Sequence, residues 1–284
     1  MQKKAIVVGA GIAGLACSLR LQKKGYEVTV VERNNYTGGK MHVLEGNGFR
    51  FDLGPSLFTM PGLVESLFEL SDKPIEDYFT YKKKEVICHY FWPDGSFFKA
   101  SAEPEEWIKE AADFFGEPSE ILRRYLNNSA RKYTLTAPIF LERSLADWKT
   151  YLSTNTLKAI FNLGALNIFN TLDKHHKGIF KNKKLIQYFN RFATYNGSSP
   201  YKTSAIMSMI PHLEMHKGTY FPTEGMHSIG QSLYQLAKDK GVRFLLETPV
   251  VKINVENNSA KGIEIVVNGV TQYLKADVVV SNAD

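Results

Sequence analysis

Hydrophobic residues near the start of the chain switch from the spacing of a strand to the spacing of a helix and back. Ala5 to Val8 is a short, mostly β-branched run, which predicts a buried parallel strand. From Ile12 to Lys24 the apolar positions recur with helical spacing, and Gly25 stands where a helix typically ends. Val28 to Val31 is a second β-branched run. The pattern therefore predicts one βαβ crossover, in which a helix joins two parallel strands.

The middle of the chain has a mixed pattern. We predict a β-hairpin from Glu85 to Trp92 and from Phe97 to Ala100, because Pro93-Asp94-Gly95-Ser96 supplies turn residues between them. A helix is predicted from Glu103 to Phe115, and several more are predicted between about Ser144 and Phe192, with a helix start at Ser144. The later helices are rich in Leu, Ile, Phe and Tyr, which indicates a second, apolar-lined region.

The last part of the chain is predicted to hold one more helix and several strands. Ser228 to Lys240 is an amphipathic pattern ended by Gly241. Five strand patterns follow, at Val242 to Leu246, Val250 to Val255, Ala260 to Val267, Val270 to Leu274 and Asp277 to Ser281. Turn residues at Asn257-Asn258 and Asn268-Gly269 predict that the middle three are antiparallel. Because the sequence stops shortly after a buried-looking strand, we expect a truncated chain.

Composition excludes several classes of protein. With 44% hydrophobic and 23% charged residues in 284 positions, the chain is typical of a folded globular protein. Two cysteines, Cys17 and Cys88, are too few for a disulfide framework. The net charge of +6 would favour anionic partners, but the positive residues are scattered, and we expect no nucleic acid partner. No stretch is apolar enough to span a membrane.

The first βαβ unit carries a phosphate-binding pattern. Gly9-Ala10-Gly11-Ile12-Ala13-Gly14 is a G-x-G-x-x-G loop in its required place, after a strand and opening a helix. Its glycines permit a tight turn, a close approach of backbone amides to a pyrophosphate, and packing of the helix on the strand. Glu32 ends the second strand, where a carboxylate can bind the ribose hydroxyls of an adenosine. The combination predicts dinucleotide binding, and Gly38-Gly39-Lys40 favours FAD over NAD alone, because more backbone then surrounds the cofactor.

Four later segments extend this pattern into a family resemblance. After Glu32-Arg33 and Gly38-Gly39-Lys40 come the segments FDLGPSLFTMP (residues 51–61), YNGSSP (195–200), FPTEGM (221–226) and VSNAD (280–284). Together they resemble the flavin amine oxidase superfamily and, within it, the bacterial-type phytoene (carotenoid) desaturases. One departure is Glu224, where the family commonly has the first of two glycines.

The resemblance implies where FAD would lie. Gly9, Gly11 and Gly14 would hold the pyrophosphate, and Glu32 the adenosine ribose. Lys40 and the backbone of Gly54-Pro55-Ser56 would lie along the cofactor toward the flavin, and Val250 would meet the adenine. The predicted cofactor-binding residues are thus Gly9, Ala10, Gly11, Ile12, Ala13, Gly14, Glu32, Arg33, Gly38, Gly39, Lys40, Gly54, Pro55, Ser56 and Val250.

The fold that the resemblance implies is α/β: a Rossmann-like, GR2-type FAD-binding domain with an inserted α+β substrate domain. We expect the FAD-binding domain at residues 1–59 and 219–284, incomplete at its C-terminus, and the substrate domain at residues 60–218. Family members continue well beyond this length, so the activity of a chain this short is in question.

The activity that the resemblance implies is desaturation of a phytoene-like isoprenoid, acting on a CH–CH group with hydride transfer to flavin. The alternatives are another oxidoreductase of the superfamily, such as an amine oxidase or a carotenoid saturase or isomerase, and a truncated, non-catalytic remnant. Catalytic residues and the oligomeric state stay open. A carotene dissolves in membranes, so we expect a cytoplasmic protein in peripheral contact with the inner face of the cell membrane.

We expect no metal site. His212, Glu214 and His216 would share one face of a strand, but their spacing matches no recognised zinc pattern.

Overall fold

A computed structural model describes residues 2–283, which form two compact units. One unit comprises the chain up to Lys83 and from Tyr220 onward, and we call it the nucleotide unit. The other comprises Lys84–Thr219, and we call it the inserted unit. The first boundary therefore falls after Lys83, later than the expected position after residue 59.

The nucleotide unit is built on a four-stranded parallel sheet. Its strands are β1 (Lys4–Val8), β2 (Glu27–Val31), β9 (Arg243–Leu245) and β13 (Val278–Ser281), in the order β13-β1-β2-β9. Helix α1 (Ile12–Lys23) joins β1 to β2, as the apolar spacing predicts. Leu15 and Leu19 on α1 are fully buried against Val28 and Val30 of β2. The predicted βαβ crossover is confirmed.

Two further helices and two pairs of antiparallel strands also belong to the nucleotide unit. Strands β3 (His42–Gly46) and β4 (Phe49–Leu53) pair antiparallel, and helix α2 (Gly62–Leu70) follows them. Helix α11 (His227–Asp239) packs against α1 in the same hydrophobic core. Strand β5 (Tyr81–Lys83) pairs with β8 (Tyr220–Pro222), which explains why the chain between residues 60 and 83 belongs to this unit.

A three-stranded antiparallel sheet lies at the other side of the parallel sheet. It consists of β10 (Val250–Glu256), β11 (Ser259–Val267) and β12 (Val270–Lys275). Asn257, Asn258, Asn268 and Gly269 all have positive φ angles, between +49° and +77°, as tight hairpin turns require. The predicted turns at both positions are confirmed.

The inserted unit begins with a hairpin and continues as helices. Strands β6 (Val86–Phe91) and β7 (Phe97–Ser101) pair antiparallel, and α3 (Pro104–Phe115) follows, as predicted. The remaining helices are α4 (Ser119–Phe140), α5 (Trp148–Tyr151), α6 (Thr154–Phe161), α7 (Leu163–Leu166), α8 (Leu172–Lys177), α9 (Lys183–Asn190) and α10 (Ile210–His212). Two 3₁₀ segments, Arg191–Asn196 and Ala205–Met209, and a π-helical turn, Leu213–Lys217, complete it.

The predicted helix start at Ser144 is wrong. Helix α5 begins at Trp148, and the side chain of Asp147 caps it by accepting a hydrogen bond from the Lys149 N–H. Ser144 instead forms a local turn, in which its hydroxyl oxygen accepts from the Ala146 N–H. Ser and Asp are both good capping residues, so the sequence alone could not choose between them.

The core of the inserted unit contains a cluster of aromatic side chains. Trp107, Tyr188, Phe189 and Phe192 are almost completely buried, and their rings contact one another at centroid distances between 5.0 and 6.4 Å. The expectation of a second, apolar-lined region agrees with this packing.

Candidate functional site

The glycine-rich loop lies between β1 and α1 and has no room for side chains at its closest contacts. A Cβ atom on Gly14 would lie 2.1 Å from the carbonyl oxygen of Gly9, which itself has a φ of +98°. A Cβ atom on Gly11 would lie 3.1 Å from Nδ2 of Asn282, which follows β13. Within the described residues no side chain caps α1, and its first turn holds no acidic residue. The N–H groups of that turn are therefore suited to an anion.

Glu32 is fixed beside this loop. Its side chain accepts a hydrogen bond from the Ala10 N–H at 2.8 Å and another from the Asn34 N–H at 2.9 Å. The residue is only 7% exposed. Each carboxylate oxygen has two lone pairs, so both oxygens can still accept from a sugar hydroxyl. The carboxylate is thus oriented by the backbone before any ligand binds.

The second glycine pair folds against the first loop. The Gly38 N–H donates to the Ala10 carbonyl at 2.9 Å. A Cβ atom on Gly39 would lie 3.1 Å from the Cα of Gly11. Gly54 lies against Lys40, the residue that follows this glycine pair. A Cβ atom on Gly54 would lie 2.0 Å from the Lys40 carbonyl oxygen. The structure therefore brings the loop at 9–14, the segment at 38–40 and Gly54 together, and the positions of Pro55 and Ser56 along the cofactor stay predictions.

Val250 and Arg33 lie at the Glu32 end of this stretch. The Thr248 N–H donates to the Glu32 carbonyl at 2.8 Å, and β10 begins two residues later at Val250. Val250 packs beside Val31 in a small hydrophobic cluster. Arg33 is exposed. Their predicted contacts with the adenosine part of FAD remain predictions.

A polar cluster that the sequence analysis missed supports the Gly54 segment. Asp52 accepts from the Met226 N–H at 2.9 Å and from Arg50 at 3.1 Å. Arg50 also donates to the Glu224 carbonyl and contacts the ring of His227. The cluster therefore ties β4, just before Gly54, to the start of α11. No local sequence signal could reveal it, because its two halves lie 174 residues apart.

The same cluster explains why Glu224 is tolerated at its position. Gly225 has a φ of +85°, and a Cβ atom there would lie 2.4 Å from the Arg50 guanidinium. Glu224 is outside the left-handed region, so it can carry a side chain. Glycine is required at the second position of this turn and not at the first.

The His212, Glu214 and His216 set does not share one face. These residues lie on α10 and the π-helical turn rather than on a strand. The rings of His212 and His216 stack at 4.8 Å, whereas the Glu214 carboxylate is buried and bonded to Arg191 and Tyr195. Among residues 2–283, no group of three or more potential ligands is arranged around a common metal position.

A cleft of 840 Å³ opens elsewhere in the nucleotide unit. His227, Gln231, Gln235 and Asp239 of α11 line one of its walls. Its lining includes neither the glycine loop nor Glu32. Asn35, Tyr36, Thr37 and Met41, which flank Gly38-Gly39-Lys40, also line it, so the cleft adjoins that part of the predicted dinucleotide site.

These observations fit FAD. The loop at 9–14 offers bare backbone and a helix N-terminus for the pyrophosphate, and Glu32 offers an oriented carboxylate for the ribose. The backbone of 38–40 and Gly54 lies next to this loop, where the resemblance expects more of the cofactor to be held.

Comparison with known proteins identifies the family of the chain. Residues 12–284 match the family described as flavin containing amine oxidoreductase. The chain is 54% identical, over 92% of its length, to a 1-hydroxycarotenoid 3,4-desaturase from Flavobacterium sp. (strain P99-3). It is 30% identical, over 99% of its length, to a 4,4'-diapolycopene oxygenase from Methylomonas sp.. It spans about half of each relative, 53% and 56% respectively.

Solved structures show the same fold. The cyclohexylamine oxidase from Brevibacterium oxydans IH-35A superposes with a TM-score of 0.60, at 19% identity, over 99% of this chain and 58% of that one. The predicted α/β flavoprotein fold is confirmed, and the family description confirms a flavin cofactor, FAD. The chain belongs to the flavin-containing amine oxidoreductase family.

Proposed function

We propose that the protein is an FAD-dependent oxidoreductase that desaturates a carotenoid at a CH–CH group. The observation that carries the proposal is the 54% identity to a 1-hydroxycarotenoid 3,4-desaturase, far above the 30% identity to the carotenoid oxygenase. That relative favours a hydroxylated carotenoid over the phytoene-like substrate that the sequence resemblance implies. The oxygenase relative makes oxygen insertion the second candidate.

The chain's residues would bind and orient the reactants. The amides of residues 9–14 and the Glu32 carboxylate would hold the dinucleotide, and the cluster of Arg50, Asp52 and His227 would fix the backbone before Gly54. When bound, FAD supplies the hydride acceptor for the reaction. The inserted unit, with its aromatic and aliphatic side chains, would provide apolar surface for a long polyene and keep it from water.

The test is turnover of carotenoids by the full-length protein. The protein is incubated with liposomes that hold either a hydroxylated carotenoid or phytoene, and the products are separated and weighed by mass spectrometry. A desaturase removes two hydrogens and shifts absorption to longer wavelength. Gain of oxygen would identify an oxygenase, and gain of two hydrogens a saturase. Purified protein that lacks yellow colour and changes neither carotenoid would contradict the proposal and favour a non-catalytic remnant.

We also propose that the protein contacts an anionic membrane surface. Large apolar side chains are exposed along one stretch of the inserted unit, at Phe140, Leu141, Leu145, Trp148, Tyr151, Leu152, Leu157, Ile160, Phe161, Leu163 and Phe169. Residues 121–219 also contain 15 Lys and Arg against 4 Asp and Glu. The apolar stretch at 140–169 itself holds 3 Lys and Arg against 2 Asp and Glu, so the basic excess lies in the segments that flank it in sequence. Exposed apolar side chains flanked by basic segments suit an anionic bilayer. No helix among the described residues is long and apolar enough to cross a membrane.

Flotation with anionic liposomes tests the membrane proposal. In the Trp148→Ser/Phe161→Ser double variant we expect the liposome-bound fraction to fall about tenfold or more, because two large apolar groups are lost from the contact. The control is Leu63→Ser, which removes an equally exposed apolar residue of the nucleotide unit. Equal binding by the double variant and the wild type would contradict the proposal.

A further inference from the structure

The inserted unit contains a polar cluster for which the proposed chemistry has no assigned use. We call Tyr90, Arg191, Tyr195 and Glu214 the Arg191 cluster. Arg191 donates from Nε to the Tyr90 hydroxyl at 2.8 Å and from Nη2 to the Glu214 carboxylate at 2.6 Å. The Tyr195 hydroxyl donates to the other Glu214 oxygen at 2.6 Å. The cluster joins β6, the 3₁₀ segment at 191–196 and the π-helical turn. Such turns occur often at functional sites.

The charges within the cluster are already balanced. Glu214 has no exposed surface, and each of its carboxylate oxygens accepts a hydrogen bond. The Arg191 side chain is 24% exposed and pairs with that carboxylate. A charged ligand group would lack a counter-charge here, which is costly at a largely buried position. The cluster therefore suits a neutral ligand.

Tyr90 has a hydrogen-bond donor to spare. Its oxygen accepts from Arg191, but its own O–H has no acceptor among the described residues. Burial raises the pKa of the Tyr90 phenol above its ordinary value, so the group keeps its proton at neutral pH. The Tyr195 O–H, in contrast, is used by Glu214. Tyr90 can therefore donate to an oxygen atom of a ligand.

Aromatic rings lie beside the Tyr90 ring. The Tyr188 and Trp92 rings lie 4.4 Å and 6.0 Å from it, measured between centroids, and Phe114 lies 5.9 Å from Trp92. Tyr188 is almost completely buried, whereas Tyr90, Trp92 and Phe114 keep exposed surface. A flat, unsaturated hydrocarbon packs well on such rings. A hydroxyl donor beside partly exposed aromatic rings suits a long apolar molecule with one polar end.

We infer that Tyr90, oriented by Arg191, binds a neutral oxygen at the end of the carotenoid, either a hydroxyl or a carbonyl. This inference rests on the proposed function, because it names the part of the substrate that the inserted unit recognises. It assigns to the Arg191 cluster the selection of oxygenated over hydrocarbon carotenoids. Tyr90 is a specificity residue in this account and takes no part in the transfer of hydrogen.

The Tyr90→Phe variant tests the inference, because it removes the hydroxyl and leaves the ring. The full-length protein is given three matched carotenoids, a hydrocarbon, an alcohol and an aldehyde, at equal bound FAD. We expect kcat/KM for the oxygenated substrate, divided by that for the hydrocarbon, to fall about tenfold through KM, the usual effect of one lost hydrogen bond. Tyr201→Phe removes an exposed phenol elsewhere in the unit and should leave the ratio unchanged.

The outcomes separate the inference from the proposed function. If Tyr90→Phe lowers kcat/KM for the alcohol relative to the hydrocarbon, the ligand group is a hydroxyl. If it lowers kcat/KM for the aldehyde relative to the hydrocarbon, the ligand group is a carbonyl. If neither ratio falls, or if the wild type does not prefer an oxygenated carotenoid, the inference is overturned while the proposed desaturation stands. If the wild type converts no carotenoid, both are overturned.

Discussion

Gly14 is required by a contact between backbone segments and not by a turn. It lies inside α1, where other residues would fit the helical conformation, but a Cβ atom would lie 2.1 Å from the Gly9 carbonyl oxygen. This close contact packs α1 against the end of β1, so that the N-terminus of the helix lies at the loop. Both the stability of the unit and the dinucleotide site depend on this packing.

We expect Gly14→Ala to destabilise the protein by about 1–3 kcal/mol, as overpacking in a tight site does, and to weaken FAD binding. Chemical denaturation and FAD titration measure the two effects. Gly46→Ala is the control, because a Cβ atom on Gly46 meets nothing within 4 Å. Equal stability and FAD affinity in the two variants would show that the close approach is not needed.

Among individual residues, the sequence alone identifies those whose motif lies within one local segment. It misses those whose role depends on a partner far away in the chain. The glycines at 9, 11 and 14 and Glu32 could be recognised because their spacing within one βαβ unit carries the signal. Asn282 and Asp52 could not, because each acquires its role from a partner far away in the chain. The use of Gly225, and not Glu224, as the required turn residue also depends on the position of Arg50.

Among the elements, helix α4 shows why a helix can escape prediction from hydrophobic spacing. Its buried face begins with Leu122, Tyr125 and Leu126 but continues with Ser129 and Lys132. Polar residues on the buried side interrupt the apolar repeat from which helices are predicted. Elements with clean patterns, such as α1, α11 and the strands of the antiparallel sheet, were predicted to within a residue or two.

Lys132 connects α4 to two other segments of the inserted unit. Its ammonium group donates to Ser208 at 2.7 Å and lies 3.4 Å from the His175 ring. The residue is 3% exposed, and no carboxylate pairs with it among residues 2–283. Burial lowers its pKa to about 8. The folded protein therefore holds this proton less tightly than the unfolded chain does.

Because of Lys132, we expect the free energy of unfolding to increase as pH rises from about 8 toward 10.5. The burial penalty is fully present below pH 8, the folded pKa, and disappears as pH approaches the ordinary lysine value of 10.5. Replacing Lys132 with Met should thus stabilise the protein at pH 7 by up to about 3 kcal/mol, with little effect near pH 10.5. Denaturation at several pH values measures this.

Lys158→Met, at an exposed position, is the matched control for Lys132→Met and should change stability little at any pH. If Lys132→Met destabilises the protein at pH 7, the hydrogen bond to Ser208 outweighs the desolvation cost, and the expectation fails.

For the whole molecule, the general plan could be predicted and the boundary between the units could not. The βαβ unit at the start and the strands at the end imply one nucleotide-binding unit with an insertion, and both units are present. The residues between 60 and 83 belong to the first unit because β5 pairs with β8 and α2 packs on α1. That pairing joins Lys82 to Phe221, 139 positions later in the chain, and no sequence pattern in either segment identifies its partner.

The charge and exposed surface of the molecule carry information that composition alone does not. Lys and Arg predominate between 121 and 219, mainly in the segments before and after the exposed apolar stretch at 140–169. The membrane proposal depends on that apolar stretch and its basic flanking segments and not on the net charge of +6.

The central claim is that the loop at 9–14 and Glu32 together hold FAD, and titration of FAD into the full-length Glu32→Gln variant tests it most directly. The account predicts a Kd about 10–100-fold weaker than that of the wild type, because a carboxylate that accepts from sugar hydroxyls is lost. Glu27→Gln, at the exposed start of β2, should bind FAD as the wild type does. An unchanged Kd and undiminished yellow colour in Glu32→Gln would contradict the account.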